Sequence, residues 1–204
     1  MNLRRFYLRM ADRLVRDTRA AQLVEFAVSL PLLVVFVVGI FDFSGAFTLK
    51  QKLTNVARDA ARAAASDPAT DLVNPTTALP ASVIDAFQVV DNYLVANKIN
   101  DCGITSGGTN SGLTWTFSAS GNGCPPGGLR LIINRGYLYP LTGGTLPTVS
   151  CTSQAPGSQT AVVSTCVSIQ YGYSWKFGQA ASLFGRATTL PTQINGIAVA
   201  MNEN

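Results

Sequence analysis

From Leu23 to Phe41 the chain is almost continuously apolar, interrupted only by Glu25, Ser29, Pro31 and Gly39. As a helix these 19 positions span roughly 28 Å, about the thickness of a bilayer's hydrocarbon core. A buried core helix of that length would ordinarily keep a polar face, so the run reads as a single membrane span. The pattern then turns amphipathic without a stop signal. Phe43, Phe47, Leu53, Val56, Ala57, Ala60 and Ala64 recur at three- and four-residue steps, and Lys50, Gln51, Asn55, Arg58, Asp59 and Arg62 fill the other faces. This spacing predicts one helix from about Ala21 to about Ser66, half in lipid and half outside it. It should end at Asp67-Pro68, because proline disfavours a helical residue before it. Pro31 lacks the N–H for one backbone bond and is expected to kink or loosen the membrane half.

Prolines 68, 75 and 80 mark a connecting loop. Ser82 reads as an N-cap with Asp85 three residues on, opening a shorter helix in which Val83, Phe87, Val90 and Leu94 share a face. From Asp101 the texture changes to Gly, Ser and Thr with short β-prone runs, which places strands near Leu113 to Ala119, Leu129 to Leu138, Ala161 to Phe177 and Gly196 to Met201. Within the longest run, Val163, Thr165, Val167, Ile169, Tyr171 and Tyr173 make a better core face than the opposite parity. The expected class is α+β: a long N-terminal helix, transmembrane then amphipathic, and a small exported domain of one helix and an antiparallel sheet. Its divisions would be a basic cytoplasmic leader over 1–20, the long helix over 21–66 and the exported domain over 67–204.

Charge and composition sharpen this picture. Hydrophobic residues make up 47% of the chain and charged residues 13%, against about 25% charged in ordinary soluble domains. Arg4, Arg5, Arg9, Arg13, Arg16 and Arg19 are opposed only by Asp12 and Asp17, so the whole formal charge of +4 sits in the leader and the body is neutral. Arginines before the span, with only Lys50 and Lys52 soon after it, place the N-terminus in the cytoplasm and the rest outside. A nucleic-acid binder would instead cluster its cations on the folded domain. The expected setting is a membrane crossed once, with the C-terminal domain outside the cytoplasm.

Cys102, Cys124, Cys151 and Cys166 all follow the anchor. An even set in an exported Gly, Ser and Thr-rich segment points to two disulfides. Three pairings are open, and Cys102 with Cys124 and Cys151 with Cys166 closes the shortest loops. A zinc site is disfavoured by the spacing and by the absence of histidine. Without histidine there is no Ser-His-Asp triad and no Cys-His pair. No lysine has a serine three residues before it, and no G-x-G-x-x-G loop is present. The expectation is therefore no enzyme, no cofactor, no metal and no catalytic residue.

Glu25 is the informative charge. A carboxylate inside an apolar span costs on the order of 2.5–3.5 kcal/mol at mid-depth, less near the interface, and is usually there for a partner. The string around it, Arg19-Ala20-Ala21-Gln22-Leu23-Val24-Glu25-Phe26-Ala27, is followed by Leu30-Pro31 and Gly39-Ile40-Phe41-Asp42-Phe43. It resembles the N-terminus of TadE-like pilins of tight-adherence pilus systems. Val167-Ser168-Ile169-Gln170-Tyr171-Gly172-Tyr173, Leu183-Phe184-Gly185, Leu190-Pro191 and Ala200-Met201-Asn202-Glu203 resemble the family's C-terminal end. Between about 68 and 160 there is no specific likeness.

What the resemblance implies is a minor pilin or pseudopilin, held in the membrane by its helix and joining or priming a filament that supports adhesion. A prepilin peptidase would cut between Ala20 and Ala21, and Glu25, with Phe26 beside it, would recruit a neighbouring subunit through that subunit's N-terminal amine. The departure is Ala20, where the family usually has glycine. Implied partners are the peptidase, the major and other minor pilins and an inner-membrane assembly platform. Two rival readings are a signal-anchored exported binding or adhesion protein outside any filament, and an anchored enzyme, which lacks catalytic residues. Ordinary signal peptidase competes for processing, since Ser44-Gly45-Ala46 offers small residues past the apolar run.

Overall fold

In a computed structural model, which describes residues 18–72, 79–121, 123–141, 150–151, 160–176 and 190–203, helix α1 runs unbroken from Thr18 to Ser66 through Pro31. It stops one residue before Asp67-Pro68, where the proline forbids a further turn. A short 3-10 turn over Ala69–Leu72 follows, and α2 covers Ala81–Ala96. Five strands complete the fold: β1 Thr109–Ser111, β2 Thr114–Ala119, β3 Leu129–Pro140, β4 Ala161–Gly172 and β5 Gln193–Met201. They form one antiparallel meander in sequence order. The class is α+β. The leader over 1–17, Phe177 and the Leu183-Phe184-Gly185 motif lie outside the described residues, while β4 ends at Gly172, short of the expected run, with 173–175 no longer strand.

Two compact units divide the chain. One comprises Met1–Ser44 with Trp175–Thr189, the other Gly45–Ser174 with Leu190–Asn204. The second half of α1 thus belongs to the sheet-bearing unit. There Leu53, Val56, Ala57, Ala60 and Ala64 of the three- and four-residue stripe are fully buried, as is Ala61 beside it, whereas Phe47 is exposed. Alanines dominate the stripe because this helix sits close against the sheet. At β5 the approach is to the backbone: a Cβ on Gly196 would lie 2.4 Å from the Leu53 carbonyl carbon. Only glycine fits there.

The covering helices share one sheet face. Cross-strand partners Trp115 and Ile133, Phe117 and Leu131, Leu131 and Ile169, Val167 and Ala198 are all buried on it. From α2, Val83, Ala86, Phe87, Val90 and Leu94 face inward, with the Phe87 ring 5.0 Å from that of Phe117. Burying each such side chain contributes about 1.5–3 kcal/mol before entropy is subtracted. The helix does not start on a serine cap. Its N-cap is Pro80, Ser82 lies inside the first turn, and the Ser82 N–H donates to Asp71 Oδ2 at 2.9 Å. The preceding proline sets the start, and Asp71 supplies the acceptor that a capping serine would have offered.

The opposite sheet face is not simply solvent-facing. Ile132, Tyr137, Cys151 and Cys166 form a second buried cluster, with Tyr139, Ile197 and Val199 packed on it. Tyr137 reaches this face through a register shift in β3 between Asn134 and Tyr137. One extra residue there reverses the side-chain alternation. Asn134 Nδ2 donates to the Cys151 carbonyl at 2.8 Å, and the pairings are Cys102–Cys124 and Cys151–Cys166. Both faces of β4 are therefore buried from Ser164 to Gly172. At its start Val163, on the favoured parity, is half exposed, because the covered stretch begins after it.

Candidate assembly surface

The first half of α1 has an apolar surface with little protein over it. Residues 21–34 are exposed without exception, and Phe26 shows 63% of its area. The helix is long and apolar enough to cross a membrane once. Leaving this much apolar surface in water would cost tens of kcal/mol at about 25 cal/mol per Å², so the segment needs lipid or other helices around it.

Ala21 and Glu25 are four residues apart, hence on one face of α1, one turn from each other. Both are exposed. The next turn carries Ser29, whose Oγ donates to the Phe26 carbonyl at 3.2 Å. Its hydroxyl is satisfied within the helix, leaving Glu25 as the strong acceptor in an apolar surface. A low-dielectric surround magnifies the attraction between a carboxylate and a cation. Ala20 lies in the helical backbone at the start of α1. Pro31 is exposed.

At the far end of the apolar run Asp42 is buried. Next to it, the Phe43 ring lies 5.1 Å from that of Trp175, at a tilted 55°. Trp175 follows β4 by three residues and comes from a distant part of the chain.

In the sheet-bearing unit, the end of α1 is fixed by a residue that sequence reading did not single out. Arg135 is fully buried. Its Nη1 donates to Thr165 Oγ1 at 2.9 Å and Asn202 Oδ1 at 3.2 Å, and Nη2 donates to the Asp67 carbonyl at 3.0 Å. Asn202 Nδ2 donates back to the Arg135 carbonyl at 3.3 Å, and the Glu203 N–H to the Ala65 carbonyl at 3.0 Å. One guanidinium thus joins α1, β4 and the chain following β5. Burial pushes the Arg135 pKa down, against the opposing pull of Asp71 and Asp67. Burial also raises the Asp67 pKa, reinforced by the Asp85 and Asp71 charges and a hydrogen bond with Asp85, while Arg135 lowers it. Asp67 Oδ2, Asp71 Oδ1 and Arg135 Nε are buried without a hydrogen-bond partner. The signal in the sequence was an arginine inside an apolar strand, Ile132-Ile133-Asn134-Arg135, where a solvated side chain has no place.

An open hollow of about 750 Å³ lies over the second sheet face. Among the described residues, Thr114, Thr116, Arg130 and Asn134 are part of its lining. Among the described residues no group of three or more His, Cys, Asp or Glu is placed to hold a metal ion.

No curated protein and no solved structure matches the chain. Residues 20–62 match the family of TadE-like proteins. That stretch covers Ala20, Ala21, Glu25, Phe26 and Pro31, and ends within the buried alanine stripe of α1. By this helix the chain is similar to TadE-like proteins, a family of pilin-like proteins associated with tight-adherence pili.

Proposed function

We propose that this protein is a minor pilin or pseudopilin of a tight-adherence pilus system, a membrane-anchored subunit that primes or joins a filament and does no catalysis. The observation that carries the reading is the exposed apolar half of α1, with Glu25 on its surface, inside the segment that matches the TadE-like family. A prepilin peptidase cuts between Ala20 and Ala21 on the cytoplasmic side. Cleavage there removes the arginine-rich leader and leaves the apolar helix intact, so the mature subunit stays in the inner membrane with a neutral body. Neutrality removes long-range repulsion between subunits. Glu25, flanked by Phe26, then takes the N-terminal amine of a neighbouring pilin helix as its partner in the bundle. The sheet-bearing unit, outside the membrane, is displayed by the assembly and supports adhesion. The assembly platform in the inner membrane and the major and other minor pilins are its partners.

Intact mass and N-terminal sequencing of protein taken from the native membrane test this. A mature chain beginning at Ala21 is the expected result. A chain beginning at Phe47 would mean that ordinary signal peptidase releases the domain, and would end the pilin reading.

A further inference from the structure

The apolar run ends at Phe41, and Phe43 follows about 3 Å further along the helix axis, where the hydrocarbon core gives way to headgroups. Against Phe43 the fold brings Trp175, ring centroids 5.1 Å apart. We propose that Phe43 and Trp175 form an aromatic anchor at the bilayer surface, at the end of the span opposite the leader, with Lys176 reaching the lipid phosphates. This rests on the membrane-anchored reading above and adds a second point of contact with lipid, far from the first in sequence.

Three observations favour a lipid interface over a core role. The other tryptophan, Trp115, is 1% exposed, whereas Trp175 is only partly buried and Phe43 half exposed. The pair therefore keeps aromatic surface open at the boundary of an uncovered apolar helix. Indole has an apolar body and one N–H donor, the combination that collects at membrane–water interfaces. Lys176 is exposed directly after it, and a lysine stem lies along apolar surface while its ammonium reaches phosphate oxygens. The consequence is a depth stop. Drawing the helix further into the bilayer would drag the indole and Lys176 below headgroup level, and withdrawing it would bring Phe41 and Phe43 into water.

The test uses full-length protein reconstituted into phosphatidylcholine–phosphatidylglycerol vesicles, with lipids brominated either near the glycerol end of the acyl chain or near its methyl end. Flotation of the vesicles reports whether the helix is inserted. Tryptophan emission should be quenched more by the shallow bromines than by the deep ones, and Trp175→Phe should abolish that quenching. Blue-shifted emission from buried Trp115 in the variant shows that it is folded, since an unfolded chain would shift that emission to longer wavelength. Protein that does not float overturns the membrane reading, and this inference with it. Protein that floats, yet is quenched equally before and after Trp175→Phe, overturns this inference alone and leaves the anchor standing.

Discussion

Gly196 of β5 lies against the backbone of Leu53: a Cβ placed on the glycine would be 2.5 Å from the Leu53 carbonyl oxygen and 2.4 Å from its carbon. The neighbouring turn adds a polar tie, Lys50 Nζ donating to the Asn195 carbonyl at 2.8 Å. Backbone cannot retreat as a flexible side chain can. Gly196→Ala should therefore force α1 off the sheet and destabilise by about 1–3 kcal/mol. Gly196→Val should cost more. Chemical denaturation of the detergent-solubilised full chain measures both, and an unchanged midpoint for Gly196→Ala would show that the close approach is not there.

Arg135 should prove as important as any core residue. Replacing it with methionine keeps most of the side chain's length but removes every donor to Thr165, Asn202 and the Asp67 carbonyl. Breaking such a buried charged network typically costs about 3–5 kcal/mol. The expected loss is accompanied by faster hydrogen exchange at Ala65 to Asp67, since the C-terminal end of α1 depends on these bonds.

The pH dependence follows from Asp67, whose folded-state pKa is raised above 3.8 by burial and by the Asp85 and Asp71 charges. The folded protein holds that proton more tightly than the unfolded chain does. Stability from this site is therefore undiminished below pH 3.8 and is lost as pH rises through the folded value. Asp91, raised chiefly by burial, contributes in the same direction. Asp67→Asn should raise the melting temperature at pH 7, and the gain should vanish near pH 4. A gain independent of pH would contradict the assignment.

Glu25→Gln retains shape and hydrogen-bonding capacity while removing the charge. It should leave membrane insertion unchanged and lower co-purification with neighbouring pilin subunits by tenfold or more, a factor that corresponds to about 1.4 kcal/mol. Normal assembly of the variant would refute a recruiting role for the carboxylate.

How far the sequence could be read depended on which interactions are local. The stripe from Leu53 to Ala64 is set by helical period alone, and the end of α1 by Pro68, so both were plain. The runs that became β2, β3 and β4 could be placed for the same reason, although β5 begins at Gln193, before the Gly196 suggested by its apolar content. Strand β1, Thr109–Ser111, has no apolar residue and exists only because β2 pairs with it. The start of α2 depended on Asp71, eleven residues before the N–H it accepts, which no capping pattern reveals. Arg135 and Tyr137 escaped because their surroundings come from the register shift in β3, a property of pairing rather than of either residue. Of the candidate surface, Glu25 stands out in the sequence because a charge in an apolar run is conspicuous in one dimension. The meeting of Phe43 with Trp175 has no such trace.

Lys50 and Asn195, joined across 145 positions, lie on the sheet-bearing unit's first helix and its last strand. A chain emerging from its N-terminus exposes the alanine stripe of α1 long before β5 arrives to cover it. Until then the stripe is a sticky alanine and leucine surface with no backbone approach to lock it, and closing so long a loop is the entropically costly step. A chain that lacks Gly196 and the rest of β5 leaves part of that stripe uncovered, and it should be cleaved by added protease faster than the full chain.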